Sequence, residues 1–131
     1  MNAYQVYRQT QAQTAAPGEL VVMLYQGALR FVTSAIEAIE ARDIAASHTS
    51  LIRAQAIVNE LHESLDIERG GDMARNLASI YDFMQRRLVE ANLRKDVTPA
   101  REVLGLLREL LPAWQAAARA AAPTPSLAAA R

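Results

Sequence analysis

The apolar positions of residues 17–39 repeat with the spacing of an α-helix, and they form two stripes rather than one. Each stripe advances in steps of three and four residues, and the second follows one residue behind the first. The first stripe contains Val21, Leu24, Ala28, Phe31 and Ala35, and the second contains Val22, Tyr25, Leu29, Val32 and Ile36. Because one residue turns an α-helix by about 100°, the two stripes together cover roughly half of its surface or more.

An ordinary surface helix needs only one apolar stripe, so the second stripe of residues 17–39 needs an explanation. The helix either lies centrally in a bundle, with neighbours on two sides, or keeps one stripe free for a binding partner. The pattern favours the central position, and both interpretations stay open at this point.

The same periodicity indicates three further helices. Asp43 is a plausible N-cap of the second helix, and the glycine pair at residues 70–71 should end it and let the chain turn. The third helix should end within residues 92–96, and Thr98, followed by Pro99 at a first helical position, should start the fourth. Their core-facing positions are Leu51, Ala54, Val58, Leu61 and Leu65, then Met73, Leu77, Ile80, Met84, Leu88 and Ala91, then Val103, Leu107, Leu110 or Leu111, Trp114 and Ala118.

The order and spacing of these segments predict the fold class. Pro112 lies inside the fourth segment and should kink or divide that helix. No stretch alternates with a period of two, and the links between the segments are short. We therefore predict an all-α protein, an antiparallel up-down four-helix bundle over residues 17–122. A polar N-terminal arm of residues 1–16 should precede the bundle, and a flexible, disordered tail of residues 123–131 should follow it.

The arm of residues 1–16 is rich in glutamine but contains two aromatic residues, Tyr4 and Tyr7. It is either a frayed terminus or an arm that docks its tyrosines into an apolar groove and can be displaced from it. The residues favour neither interpretation over the other.

Composition excludes several classes of protein. The chain has 131 residues, 51% of them hydrophobic, and its 14 basic residues balance its 14 acidic residues. Zero net charge argues against a nucleic-acid binder and against attraction to anionic membranes. The absence of cysteine excludes disulfides and thiolate metal sites, and no run approaches the roughly 18 apolar residues of a membrane span. We expect a soluble cytoplasmic protein that does not insert into a membrane.

The sequence offers little catalytic chemistry. His48 and His62 would lie about 21 Å apart along the second helix, too far to share a metal ion. The Glu-x-x-His pairs of di-metal bundles are missing, and so are phosphate-binding loops and dinucleotide fingerprints. We therefore expect no enzymatic activity, no cofactor and no metal site.

Once each helix is given one core-facing stripe, five apolar or aromatic residues remain without an assigned neighbour. They are Val22, Tyr25, Leu29, Ile52 and Tyr81. A bundle absorbs part of this surplus, and the remainder suits a protein that binds a partner's amphipathic segment along its outer surface. Tyrosine fits such a site because it offers a large apolar contact area, a polar tip and little rotamer entropy to lose.

Four stretches of the chain, in order, resemble the FliS family, the flagellin-specific export chaperones of bacterial flagella. They are TAAPGELVVMLYQGALRF at residues 14–31, LIRAQAIVNEL at 51–61, LDIERGG at 65–71 and NLASIYDFMQRRLVEAN at 76–92. Trp114 also falls where the family has a tryptophan. The resemblance covers roughly residues 4–118 without large gaps.

The resemblance implies a four-helix bundle that holds the C-terminal region of flagellin in the cytoplasm and prevents its premature polymerisation. The client would become partly helical, wrap around the outside of the bundle and be delivered to the export gate protein FlhA. In some bacteria a FliS chaperone also binds the anti-sigma factor FlgM. In the free protein, the N-terminal arm is expected to cover part of the groove.

Site residues follow from the resemblance by position. Tyr7 would be the arm tyrosine, Tyr25 would belong to the Leu-Tyr pair of the first helix, and Tyr81 would present the edge of the third helix. The outer edge of the second helix would consist of Ile52, Gln55 and Asn59. With Val22 and Leu29 from the second stripe, these residues form the predicted partner-binding set.

This chain departs from the family pattern at two positions. Ala16 stands where a serine or threonine cap is usual, so we expect a looser junction of arm and helix. Gln26 replaces a residue that is commonly acidic or asparagine, so a hydrogen bond made by that residue in the family is not carried over to this chain.

One rival interpretation has no client. In it the second stripe of the first helix is a homodimer interface, and the protein is a self-associating structural bundle.

Overall fold

Four α-helices make up most of the chain in the computed structural model, which describes residues 17–121. In chain order they are α1 (Pro17–Glu40), α2 (Ile44–Glu63), α3 (Ile67–Arg94) and α4 (Val97–Ala121), and residues 17–121 contain no strand. The connections span only residues 41–43, 64–66 and 95–96. Such short links make consecutive helices antiparallel neighbours. The predicted all-α four-helix bundle is confirmed, whereas the predicted arm and tail, residues 1–16 and 123–131, lie outside the described residues.

Each helix packs against two others, so the four axes form a square. Helix α1 lies against α2 and α4, and α3 lies against the same two helices from the opposite corner. Both stripes of α1 therefore enter the core: Leu24 and Ala28 from the first stripe are buried, as are Tyr25 and Val32 from the second. The central position favoured for this helix is confirmed, because α2 and α4 cover it from two sides.

Helices α1 and α4 make a close contact where α1 begins. A Cβ atom added at Gly18 would lie 3.1 Å from the Cα atom of Ala118. Since real Cβ atoms rarely come so close to a backbone, a glycine here lets the two helices make contact. The contact fixes the end of α4 beside the start of α1.

Capping side chains set the ends of α2. The carboxylate of Asp43 accepts a hydrogen bond from the backbone N–H of Ala46 at 3.1 Å, which confirms the predicted N-cap. The predicted end of this helix at residues 70–71 is wrong, because α2 stops at Glu63. The hydroxyl of Ser64 donates to the carbonyl of Leu61 at 2.7 Å, and Asp66 then caps the next helix by accepting from Arg69 N–H at 3.1 Å.

The glycine pair acts inside α3 instead of after α2. Gly71 has φ 55° and ψ −131°, so the helix is interrupted one turn after it begins. This backbone conformation is essentially restricted to glycine. The long part of α3, which carries the core residues Tyr81, Met84, Leu88 and Ala91, therefore runs in its own direction from residue 72 onward.

The turn from α3 to α4 lies where the sequence placed it. Helix α3 ends at Arg94, and Lys95 adopts the left-handed conformation that commonly terminates helices. Helix α4 begins at Val97, and the carboxylate of Asp96 accepts from the N–H of Thr98 at 3.0 Å. Asp96 is thus the capping residue in place of Thr98. Pro112 lies within α4 and does not divide it.

By length and composition alone, residues Gly18–Glu40 are apolar enough to cross a membrane. The core helix of a bundle passes the same test, and the buried positions of α1 pack against α2 and α4. Burial therefore accounts for the apolar character of this helix.

Two glycine-to-alanine changes should alter stability in opposite directions. Gly105 is exposed inside α4, and a Cβ atom there meets nothing within 4 Å. Gly105→Ala should therefore raise the free energy of unfolding by about 0.5–1 kcal/mol. Gly71→Ala, which also meets no neighbour, should lower it by about 1–3 kcal/mol because of its positive φ. Denaturant unfolding of both variants tests this, and changes of the same sign would contradict the assigned backbone geometry.

Candidate functional site

An aromatic cluster joins all four helices at one level of the bundle. The hydroxyl groups of Tyr25 on α1 and Tyr81 on α3 are 2.6 Å apart and form a hydrogen bond across the diagonal of the square. The ring of Trp114 on α4 lies 6.2 Å from that of Tyr25, and the ring of His62 on α2 lies 6.4 Å from that of Tyr81. The hydrogen bond connects α1 and α3, one of the two diagonal pairs that have no direct backbone packing.

Burial raises the pKa of both phenols in this cluster. Loss of solvent raises the pKa of Tyr25 above 10.0, and hydrogen bonding with Tyr81 and Trp114 only partly offsets the increase. The pKa of Tyr81 is also raised, first by burial and then by its hydrogen bond to Tyr25. Both hydroxyls therefore stay protonated, and available as hydrogen-bonding groups, to a higher pH than the hydroxyl of an exposed tyrosine.

The cluster gives both site tyrosines a position in the core. Tyr81 was expected to present the edge of the third helix, and Tyr25 was left without an assigned neighbour, but their side chains are 1% and 0% exposed. Both residues lie beside the main stripe of their helix, so the sequence did not show which neighbours they have. Tyrosine can occupy a core when its hydroxyl finds a partner, and here each supplies the other.

An open apolar groove runs along the outside of the bundle between α3 and α4, next to this cluster. We call it the α3/α4 groove; its volume is about 350 Å³. It is lined by Met73, Leu77, Leu110, Ala113, Trp114 and Ala117. Trp114 is half-buried, so one side chain both lines the groove and contacts Tyr25 in the core.

Sequence reasoning assigned most of these lining residues to the core. Met73, Leu77, Leu110 and Trp114 were all placed on core-facing stripes, whereas Met73 is 72% exposed in the structure. Two features of the sequence could have indicated the groove. The small residues Ala113 and Ala117 leave space beside Trp114, and Gly71 redirects α3 just before Met73.

Three of the predicted site residues lie together on a second surface, along the seam between α2 and α3. Ile52 is 46% exposed, Gln55 is half-buried and Asn59 is exposed, all on one side of α2. The side-chain amide of Gln85 on α3 donates to the backbone carbonyl of Gln55 at 2.8 Å. Further along the same seam, a 3.0 Å hydrogen bond joins His48 on α2 to Asn92 on α3. We call this the α2/α3 surface.

The remaining predicted residues lie elsewhere. Val22 and Leu29 are half-buried on α1, and Leu29 lines a separate pocket beside α4. Tyr7 lies outside the described residues. The structure therefore divides the predicted set among the core, the α2/α3 surface and the side of α1, instead of gathering it into one face.

The geometry favours binding over catalysis. Within residues 17–121, no three histidine, aspartate or glutamate side chains are grouped so that they could hold a metal ion. The α3/α4 groove has an apolar lining that contains no titratable side chain. What this arrangement can do is bury the apolar face of another chain.

Comparison with known proteins gives the family. The model of the family described as "Flagellar protein FliS" matches residues 1–121. The chain belongs to the FliS family. It is 40% identical over 116 residues to the flagellar secretion chaperone FliS of Bacillus subtilis, covering 88% of this chain and 86% of that protein. It is 39% identical over 112 residues to the FliS of Salmonella typhimurium, covering 85% and 83%.

A third relative is also named as a flagellar secretion chaperone. The flagellar secretion chaperone FliSB of Pseudomonas aeruginosa is 38% identical over 110 residues, which cover 84% of this chain and 87% of that protein. These FliS relatives are named as chaperones and not as enzymes, and the resemblance stated from four sequence stretches is confirmed. The family model ends at residue 121, the last residue of α4.

The tyrosine pair should behave as one energetic unit. Tyr81→Phe or Tyr25→Phe alone leaves the other buried hydroxyl without its partner and should cost about 1–2 kcal/mol of unfolding free energy. The double variant removes both hydroxyls, so its cost should be clearly smaller than the sum of the two. Denaturant unfolding, with an unchanged slope as the check on compactness, measures this. Strictly additive losses would contradict the coupling.

Proposed function

We propose that this protein is a cytoplasmic export chaperone that binds the C-terminal region of flagellin. In this role it prevents premature polymerisation and delivers flagellin, as a complex, to FlhA at the flagellar type III export apparatus. The observation that carries the proposal is the α3/α4 groove on a chain of the FliS family. The anti-sigma factor FlgM is proposed as a further client of the same surfaces.

The α3/α4 groove suits an amphipathic helix as its occupant. Its walls are aliphatic side chains from two antiparallel helices, Trp114 provides a large flat contact, and Ala113 and Ala117 leave room for the client's side chains. Aromatic residues in partly preformed pockets often supply much of the binding energy at such sites. A disordered client would give up part of this energy to the ordering of its own backbone.

The α2/α3 surface is proposed as a second contact for the same client. Ile52 offers exposed apolar area, while Gln55 and Asn59 offer side-chain amides on the same edge. The amide of Asn59 donates only a long hydrogen bond, 3.3 Å to Glu63 on its own helix. Asn59 can therefore exchange this bond for one to a client backbone, and the side-chain amide of Gln55 is not used by the bond that its backbone carbonyl accepts from Gln85. A client that contacts both surfaces must wrap around α3.

Tyr25 and Tyr81 are proposed to support the client site from within the core, without touching the client. Because both are buried, they support Trp114 from behind and hold α1 and α3 at a fixed distance. Val22 and Leu29, half-buried on α1, are proposed to contact a client segment that passes along the side of α4.

Residues 1–16, with Tyr7, are proposed to compete with the client in the free protein. The arm joins α1 at Pro17, and the neighbouring Gly18 lies against Ala118, one residue beyond the groove residue Ala117. Gly18 therefore lies close to the end of the α3/α4 groove, and we propose that the tyrosines of the arm cover apolar surface there.

A charge placed in the groove should weaken client binding. We would titrate the protein calorimetrically with a peptide spanning the C-terminal region of the flagellin of its own bacterium. The wild type should bind near one to one with a negative heat-capacity change. Ala117→Glu places a carboxylate in the groove and should lower the affinity about tenfold or more. Ala116→Glu, also exposed on α4 but outside the groove, is the matched control and should bind like the wild type.

Two outcomes would overturn the proposal. If intact wild-type protein does not bind the peptide at high micromolar concentration and its mass rises with concentration, the self-associating bundle is the better account. Equal effects of Ala117→Glu and Ala116→Glu would remove the α3/α4 groove from the binding site.

Deleting residues 1–16 should leave the affinity for the peptide unchanged or raise it. A competing arm lowers the apparent affinity by the fraction of molecules whose groove it covers, so its removal relieves that competition. The same calorimetric titration measures this, with circular dichroism as the check on folding. A large loss of affinity in a well-folded variant would instead make the arm part of the client's binding surface.

A further inference from the structure

A second pocket, on the α1 side of α4, has a different chemical character. It has a volume of about 430 Å³ and is lined by Leu29, Arg30, Thr33, Ser34 and Arg108. Two guanidinium groups and two hydroxyls thus surround one aliphatic side chain. The nearby ion pair of Arg101 with Glu40, at 3.0 Å, shows that α1 and α4 can satisfy an arginine across their seam. We call this second pocket the α1/α4 pocket, and its two arginines form no such ion pair.

The arginines of α3 are all paired with acidic residues. All five form ion pairs with carboxylates three or four residues away: Arg75, Arg86, Arg87 and Arg94 with residues of α3, and Arg69 with the N-cap Asp66. Such neighbours are the ordinary partners of a helical arginine. On α3, therefore, every guanidinium group already has an acidic partner.

Arg30 and Arg108 have no such partner. The positions three and four residues from Arg30 are Gln26, Gly27, Thr33 and Ser34. Those around Arg108 are Leu104, Gly105, Leu111 and Pro112. Among residues 17–121 no carboxylate forms an ion pair with either arginine. Two unpaired guanidinium groups therefore share one pocket.

The lining favours a carboxylate on a polypeptide. Guanidinium groups bind carboxylates through paired N–H donors, and the hydroxyls of Thr33 and Ser34 can add further hydrogen bonds. Leu29 offers an apolar contact to the methylene groups of an acidic side chain, or to the residue next to it in the client. A nucleic acid or anionic membrane would require an extended basic surface, whereas this chain has no net charge and the pocket holds only two arginines.

The position of the pocket connects it to the α3/α4 groove. Helix α4 forms a wall of both, with Arg108 on the α1 side and Leu110, Ala113, Trp114 and Ala117 on the α3 side. Arg108 and Ala113 are five residues apart, about 8 Å along a helix axis. One extended or helical segment crossing α4 can reach both sites.

We propose that the α1/α4 pocket binds an acidic side chain of the same client segment that occupies the α3/α4 groove. Arg30 and Arg108 hold its carboxylate, and this fixes the register in which the client crosses α4. The inference rests on the proposed chaperone function and adds a charged, specificity-determining contact to a site that is otherwise apolar.

The test is a charge-exchange titration with the flagellin C-terminal peptide and with a version in which every Asp and Glu is replaced by Asn and Gln. The double variant Arg30→Gln/Arg108→Gln should bind the native peptide about fivefold to twentyfold more weakly than the wild type. With the peptide that carries Asn and Gln, the double variant and the wild type should bind with nearly equal affinity. Arg119→Gln, an exposed and unpaired arginine on α4 outside the pocket, is the control for net charge and should change the affinity less than about twofold.

Each other outcome overturns the inference in a recognisable way. If the wild type binds and the double variant binds equally well, the pocket has no role although the proposed function stands. If the double variant loses affinity equally for both peptides, or Arg119→Gln has the same effect, the arginines do not recognise a carboxylate in the pocket. If the wild type binds neither peptide, the inference and the proposed function fail together. Thermal unfolding followed by circular dichroism checks that all three arginine changes leave the fold intact.

Discussion

The 2.6 Å hydrogen bond between the hydroxyls of Tyr25 and Tyr81 crosses a bundle whose diagonal helices otherwise lack backbone packing. It sets the distance between α1 and α3, and its two rings fill the centre of the core at this level. Trp114 rests against Tyr25, so the position of the groove residue depends on the pair. A polar bond of this kind also has a geometric requirement that purely apolar packing lacks, which favours one arrangement of the four helices.

Surfaces of three kinds surround this centre. The α3/α4 groove is apolar, the α2/α3 surface combines Ile52 with side-chain amides, and the α1/α4 pocket is cationic. Helix α4 separates the groove from the pocket, and α3 separates the groove from the α2/α3 surface. A client that wraps around the bundle would therefore meet apolar, amide and charged contacts in turn. Apolar contacts supply most affinity in such interfaces, whereas polar and charged contacts set register and partner choice.

The structure places only some of the predicted partner-binding residues on one surface. Ile52, Gln55 and Asn59 do share an outer edge, because residues three and four apart on a helix lie on one face. The expected edge position of Tyr81 was wrong, because periodicity within one helix cannot show that a residue on another helix, 56 positions away, supplies a hydrogen-bond partner. The groove was missed for the converse reason. Met73 and Trp114 have core-like spacing, and only the break at Gly71 and the small residues of α4 leave them at an open edge.

The sequence by itself determined the helices, the bundle and the family. Helical periodicity, the cap at Asp43 and the short connections are local properties, and four long matching stretches identify the FliS family without coordinates. Only the tertiary structure decided which apolar residues stay uncovered and which arginines stay unpaired. Both depend on the distance and direction of neighbouring helices. The close contact of Gly18 with Ala118 sets how near α1 lies to α4, and the positive φ of Gly71 sets the direction of α3 beside the groove.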